Sequence, residues 1–288
     1  MTARTDETVR GTEAPTVSFT DSSSTPPARR GGVHRRITPS GVEQWWVLTL
    51  RSLRTMARYG ELVLAVLAPF VFGLGFYLPL KFVMQLQGID YAQFLMPIIV
   101  LQSMAFTAIS AAQLAAQEGT TGVTSRLQTM PVAPAAPLAS RMTASMVRSV
   151  ISLAAAIGFG YLIGFRFSAG PGQAVLFCAT ALIISLLLCL GADAIGCLSR
   201  SPEATAQALT LPQLILGMLS CGFVPEEGFP EWIRPFVRNQ PISQFSFAMR
   251  DMAQDGVTWE VFRPSLFWMI GLAVICIPGA VWAATRRE

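Results

Sequence analysis

The sequence predicts an all-α integral membrane fold, with six transmembrane helices, an N-terminal amphipathic interfacial helix and short extracellular helices between spans five and six. Three observations carry this expectation. Hydrophobic residues make up 52% of the 288 positions and charged residues only 13%, too few to solvate a globule of this size. Six apolar stretches reach the roughly 20 residues that a helix needs to cross a bilayer core. The stretches are continuous apolar runs rather than period-two alternations, which excludes a β-barrel.

Residues 1–40 read as a disordered cytoplasmic tail. They are rich in Thr, Ser, Pro and Gly and contain no apolar run, so burial cannot offset the entropy of ordering them. The arginine pairs Arg29, Arg30 and Arg35, Arg36 are followed by no h-region, and no signal peptide is expected. Residues 41–288 form the membrane domain.

From Gly41 to Arg58 the chain reads as an amphipathic helix. Trp46, Leu50, Leu53 and Ala57 recur at helical spacing, and Arg51, Arg54 and Arg58 form an adjoining basic stripe. The pattern suits a helix lying in the cytoplasmic interface or one packed on the bundle. Trp45 and Leu48 fall off the main stripe. The spans follow at about Leu62–Leu80, Phe94–Ala116, Ser145–Phe165, Ala174–Cys197, Gln207–Phe223 and Pro264–Ala284.

Arginine placement sets the orientation. One side receives Arg51, Arg54 and Arg58, then Arg126 and Arg141, Arg200, and finally Arg286 and Arg287, while the other has Lys81 and Arg166 in its short loops. The positive-inside rule then puts both termini in the cytoplasm of a multi-pass plasma-membrane protein. Cys178, Cys189, Cys197, Cys221 and Cys276 lie in or at the ends of spans, where they are expected as small apolar packing residues.

Several chemistries are excluded. Lys81 is the only lysine and follows no glycine-rich turn, so no P-loop exists. His34 is the only histidine and falls in the tail, which excludes His–Cys metal sets and Ser-His-Asp triads. No carboxylate pair at catalytic spacing lies inside a span. The chain is therefore expected to have no catalytic residue and no metal site, and not to be an enzyme.

Three segments carry functional signal. Between spans two and three, Gly122–Met130 could form a short helix stopped by Pro131. After span five, prolines break a long loop into short pieces around Trp232, a residue suited to the membrane interface. Asp193, near one end of span four, is an intramembrane acid that needs a partner. Arg148 in span three lies at similar depth and is its expected partner, in a structural ion pair or in a substrate or gating role. Gly160 and Gly164 form a GxxxG that permits close helix approach.

The nine-residue spacing from Gly122 to Pro131, with Leu127 between, resembles the loop of ABC-2 type exporter permeases. In that family acidic residues usually precede the glycine and another follows it; in this sequence Thr120, Thr121 and Ser125 stand there, and Glu118 is the nearby acid. The stretches GFPEWIRPFVRNQPISQF, GYLIGFRF and RLQTMPVAP are similar to the daunorubicin and doxorubicin resistance permeases of actinobacteria. The resemblance runs from about Trp46 to the C-terminus and implies a membrane permease subunit of an ATP-binding-cassette exporter. Its cargo would be hydrophobic or amphiphilic, an anthracycline-like drug or a complex lipid. Coupling to the ATPase would fall to Glu118, Gly122, Arg126, Leu127 and Pro131; translocation or gating candidates are Asp193, Arg148, Trp232, Arg238 and Pro241. ATP and Mg would be bound by a separate ABC ATPase subunit, with no cofactor in this chain. Other expected partners are a second permease copy or a related permease and membrane lipids, with no nucleic acid. The alternative is a non-transporting membrane scaffold or assembly factor for lipid or polyketide synthesis.

Overall fold

A computed structural model describes residues 40–58, 60–86, 88, 90–121 and 136–285. Residues 1–39 of the expected tail and the loop from Gly122 to Pro131 lie outside the described residues. In chain order the helices are α1 (Gly41–Arg58), α2 (Glu61–Leu86), α3 (Tyr91–Thr120), α4 (Ala136–Ile163), α5 (Pro171–Leu198), α6 (Pro202–Met218), α7 (Arg234–Asn239), α8 (Pro241–Gln254) and α9 (Trp259–Thr285), with a 3-10 turn at Glu226–Gly228. Among the described residues there is no β-strand.

Local chemistry places the helix starts. The Ser40 hydroxyl accepts from the Glu43 amide and the Glu43 carboxylate accepts from the Ser40 amide, a reciprocal cap that opens α1 at Gly41. Asp90 caps α3 through the Ala92 amide, and Ser201 caps α6 through the Ala204 amide. Pro171, Pro202 and Pro241 occupy first helical positions, where the missing amide costs nothing.

α3 is the axle of the bundle. It packs against α2, α4, α5, α6 and α8 and is buried along almost its whole length. α2 and α9 keep one side exposed, with Leu67, Val71 and Leu78 on the first and Phe267, Val274 and Ile275 on the second. These apolar faces suit lipid and not water. α5 and α9 run parallel: the Val257 amide meets the Gln173 side chain where both begin, Cys276 lies against Gly191 further along, and Ala283 clusters with Ala194 and Cys197 where both end.

Among the described residues five helices, α2, α3, α4, α5 and α9, are long and apolar enough to cross a membrane. The fifth expected span, Gln207–Phe223, differs. α6 has 17 residues, about 25 Å at 1.5 Å per residue and short of a core of roughly 30 Å. The helix ends at Met218 because the chain turns there: Gly217 touches the Gln102 side chain, and the Gln240 amide group donates to the carbonyls of Leu216 and Leu219.

α1 occupies the expected residues but buries an unexpected face. Thr49 and Met56 are buried, and the Trp45 ring nitrogen donates to the Thr143 hydroxyl of α4 at 3.1 Å. Trp46, Leu50 and Val42 stay exposed. Trp45 falls off the stripe because the helix has two apolar faces, one docked and one open.

Glycines admit the tightest contacts. A Cβ at Gly196 would strike the Ala112 carbonyl oxygen, so the α3 and α5 backbones touch at that point. The two glycines of the GxxxG serve different ends. Gly160 makes room for Met96, whereas Gly164, at φ +105°, turns the chain out of α4.

Candidate functional site

Seven residues of a helix return almost to the same face, and α4 uses this to carry a polar seam through an apolar bundle. Arg141, Ser145, Arg148, Ser149 and Ser152 follow one another at helical spacing and lie on its inner side. Ser149 shares a hydrogen bond with Ser185 of α5 at 2.7 Å, and Ser152 donates to the Ala65 carbonyl of α2 at 3.0 Å. Each hydroxyl is satisfied, as burial in a low dielectric requires.

Two ion pairs anchor the seam, and they correct the expected pairing. Asp193 is bound by Arg141, not Arg148. Arg141 Nε donates to Asp193 Oδ1 at 2.7 Å and Nη2 to Oδ2 at 2.9 Å, a fork-on-fork contact, while Nη1 reaches Glu118 at 3.4 Å. Arg148 pairs with Glu61 at 2.8 Å. The difference arises at the helix ends: α4 begins at Ala136, so Arg141 is a residue of the helix rather than of the loop, and Glu61 opens α2. Desolvating an ion costs several kcal/mol, which only such close pairing offsets. Glu118, expected to face a partner, is held within the chain by Arg141.

Arg148 has a second aspect. Its side chain is only 3% exposed, and its Nε has no hydrogen-bond partner among the described residues. It stands at the back of a lateral cavity of about 340 Å³ between α2, α3, α4 and α6. The walls are apolar, with Leu67, Phe72 and Phe106, and hydroxyls of Thr107, Ser152 and Thr210 stud them. An apolar chamber with one cation and a few hydroxyls fits an amphiphile.

The opposite end of the bundle is closed by α8, packed on α3, α5 and α9. Phe245, Met249 and Met252 bury there. Arg250 is the residue that sequence reading missed. Its guanidinium lies 3.7 Å over the Phe94 ring, and Nη2 donates to the carbonyls of Phe94 at 3.2 Å and Cys221 at 3.4 Å. Burial pushes it down to about 10, so it keeps its charge at neutral pH. The signal was the Arg in SFAMRDM, a charge within an otherwise apolar helix face.

The remaining predicted residues divide. Pro241 opens α8, Trp232 is 81% exposed, and Arg238 lies 4.0 Å from Glu226 at the rim of a mixed-charge cavity of about 1030 Å³. These three do not converge on Asp193 or Arg148. Gly122, Arg126, Leu127 and Pro131 lie outside the described residues; the flanking Thr121 and Ala136 stand at the bundle end that carries α1.

The family described as ABC-2 family transporter protein matches residues 82–282, which takes in the bundle from the end of α2 to α9. Over 95% of its length the chain is also 36% identical to the doxorubicin resistance ABC transporter permease protein DrrB of Mycobacterium tuberculosis, of which it covers 97%. The chain belongs to the ABC-2 transporter family. It is 30% identical, over 57% of its length and 60% of the relative's, to the probable doxorubicin resistance ABC transporter permease protein DrrC of the same organism. It is 24% identical, over 67% of its length and 65% of the relative's, to the daunorubicin resistance ABC transporter permease protein DrrB1 of Streptomyces coeruleorubidus. No solved structure matches. As an ABC-2 transporter protein the chain is a multi-pass membrane permease.

Proposed function

We propose that this ABC-2 permease exports an apolar or amphiphilic compound, an anthracycline-type drug or a complex lipid, driven by ATP hydrolysis in a separate ATPase subunit. The lateral cavity with Arg148 behind it carries the reading. Its walls accept an apolar body from the side exposed to lipid, and its hydroxyls and guanidinium offer partners to the polar atoms of such a molecule. The relatives' names supply the drug class.

Topology supports six crossings. α5 ends and α9 begins at opposite ends of the bundle, so the chain must return between Leu198 and Trp259. α6 and the turn to Phe223 make that return. α1 then lies in the cytoplasmic interface and α7 and α8 lie on the outer side, as the arginine asymmetry favours. The connection from Thr121 to Ala136 faces the ATPase, and a second permease copy or a related permease completes the assembly.

Proteoliposomes holding the permease with its ATPase test the reading. ATP-dependent accumulation of doxorubicin is expected, lost in Arg148→Leu and partly kept in Arg148→Lys when both variants insert normally. ATPase binding without any ATP-dependent movement of drug or lipid would favour the scaffold instead.

A further inference from the structure

A second cavity, of about 570 Å³, opens between α1, the last turns of α3 and the start of α4. Its floor is apolar, made by Met56, Leu114 and Ala144, and its mouth carries Arg51 and Arg58. Arg141 forms the back wall but is engaged by Asp193 and Glu118. Arg51 and Arg58 have no carboxylate partner among the described residues. With Glu118 as the lining acid against Arg51, Arg58 and Arg141, the cavity keeps an excess of positive charge.

The location narrows what balances that charge. α2 begins three residues after Arg58, and α3 and α4 end and begin beside the cavity, so it lies where the spans leave the apolar layer. On the neighbouring face of α1, Val42, Trp46 and Leu50 are exposed, an apolar strip next to the cationic mouth. A ligand that meets both is negatively charged at its head and apolar behind it. We propose that this cavity binds the headgroup of an anionic phospholipid, its phosphate between Arg51 and Arg58 and its acyl chains along the strip. The bound lipid fastens α1 to α3 and α4. The site is separate from the lateral cavity and does not depend on which cargo is moved.

Arg54 provides the control. It is exposed on the same helix but does not line the cavity, so general attraction of basic residues to an anionic surface treats all three arginines alike, whereas a site does not. The full-length chain, purified in detergent, is incubated with phosphatidylglycerol or phosphatidylcholine, and lipid retention is read by native mass spectrometry. Wild type and Arg54→Gln should retain one phosphatidylglycerol in preference to phosphatidylcholine. Arg51→Gln and Arg58→Gln should each weaken retention about five-fold, the value of one arginine at an anionic lipid surface. Equal weakening in all three variants, or retention of phosphatidylcholine to the same extent, would overturn the site. Displacement of the lipid by an equal concentration of inorganic phosphate would assign the cavity to a free anion and overturn the lipid assignment.

Discussion

Arg141 and Asp193 meet across the contact of α4 and α5 with both prongs engaged, at 2.7 and 2.9 Å, although 52 positions separate them in sequence. The Cys197 thiol lies 3.6 Å from the same carboxylate, and Glu118 takes the third donor of the arginine. The pair joins α4 to α5 near the end of the bundle that carries α1, one turn before the backbone contact of Gly196 with α3. Relative movement of these helices therefore has to break or carry the pair.

Asp193→Asn or Arg141→Gln alone is expected to lower stability by about 3 to 5 kcal/mol, because one buried charge is left without its partner. Combining the two should recover most of the loss, whereas Asp193→Asn with Arg148→Gln should not. Thermal unfolding of the single and double variants in detergent decides the matter. Recovery through Arg148 would show that the pairing is other than described.

Gly196→Ala places a methyl group against the Ala112 carbonyl oxygen and should cost about 1 to 3 kcal/mol, the range for overpacking. Gly158→Ala, in the open on α4, should be neutral or stabilise by up to about 1 kcal/mol. Unfolding midpoints for the two variants give the comparison, and equal effects would count against the close approach of α3 and α5.

Arg250→Ala removes the donor that links α8 to the start of α3 and to the turn after α6. Limited proteolysis between Glu226 and Arg234 should speed up in this variant. Arg250→Lys keeps the charge over Phe94, a contact worth roughly 0.5 to 2 kcal/mol, but loses the fork, so an intermediate rate is expected. Unchanged cleavage in Arg250→Ala would remove the clamp from the account.

Orientation is open to thiol labelling. Glu227 and Thr121 are both exposed, so a difference between Glu227→Cys and Thr121→Cys in a cysteine-free background reports the side of the membrane and not burial. An impermeant reagent on intact cells should label the first and spare the second. The reverse result would invert the topology.

The two adjacent tryptophans of α1 should separate in function. Trp45→Ala loses the hydrogen bond to Thr143 and the packing of α1 on α4, and should lower the unfolding midpoint. Trp46→Ala touches an exposed ring and should leave the midpoint unchanged.

Much of this bundle is legible in the sequence, because lipid selects continuous apolar runs. Five of the six apolar windows fall within α2, α3, α4, α5 and α9, apart from the last residues of α4's window, and α1 has the bounds that its periodicity predicts. What hydropathy trims away was lost. The window at Ser145–Phe165 begins well after the true start of α4, which is why Arg141 read as a loop charge and the partner of Asp193 went to Arg148. Glu61 was lost in the same way, as a residue just outside a window. The end of α6 depends on Gln240, 21 positions further on, and no local pattern around Met218 encodes that cap. The seam itself was within reach: Ser145, Arg148, Ser149 and Ser152 repeat at helical spacing in an apolar segment.

The central position of α3 has a consequence for how the chain is made. Synthesis delivers α3 to the membrane before α4, α5, α6 and α8, the helices that later cover it. Gln102 on α3 finds its side-chain partner in Gln213, 111 residues further along the chain. Until α6 emerges from the ribosome, that amide has to be sheltered by the insertion machinery or by transient neighbours, since hydrocarbon offers it nothing. A chain arrested before residue 213 would present quality-control proteases with an unpaired amide on an apolar helix, a group that the finished protein hides.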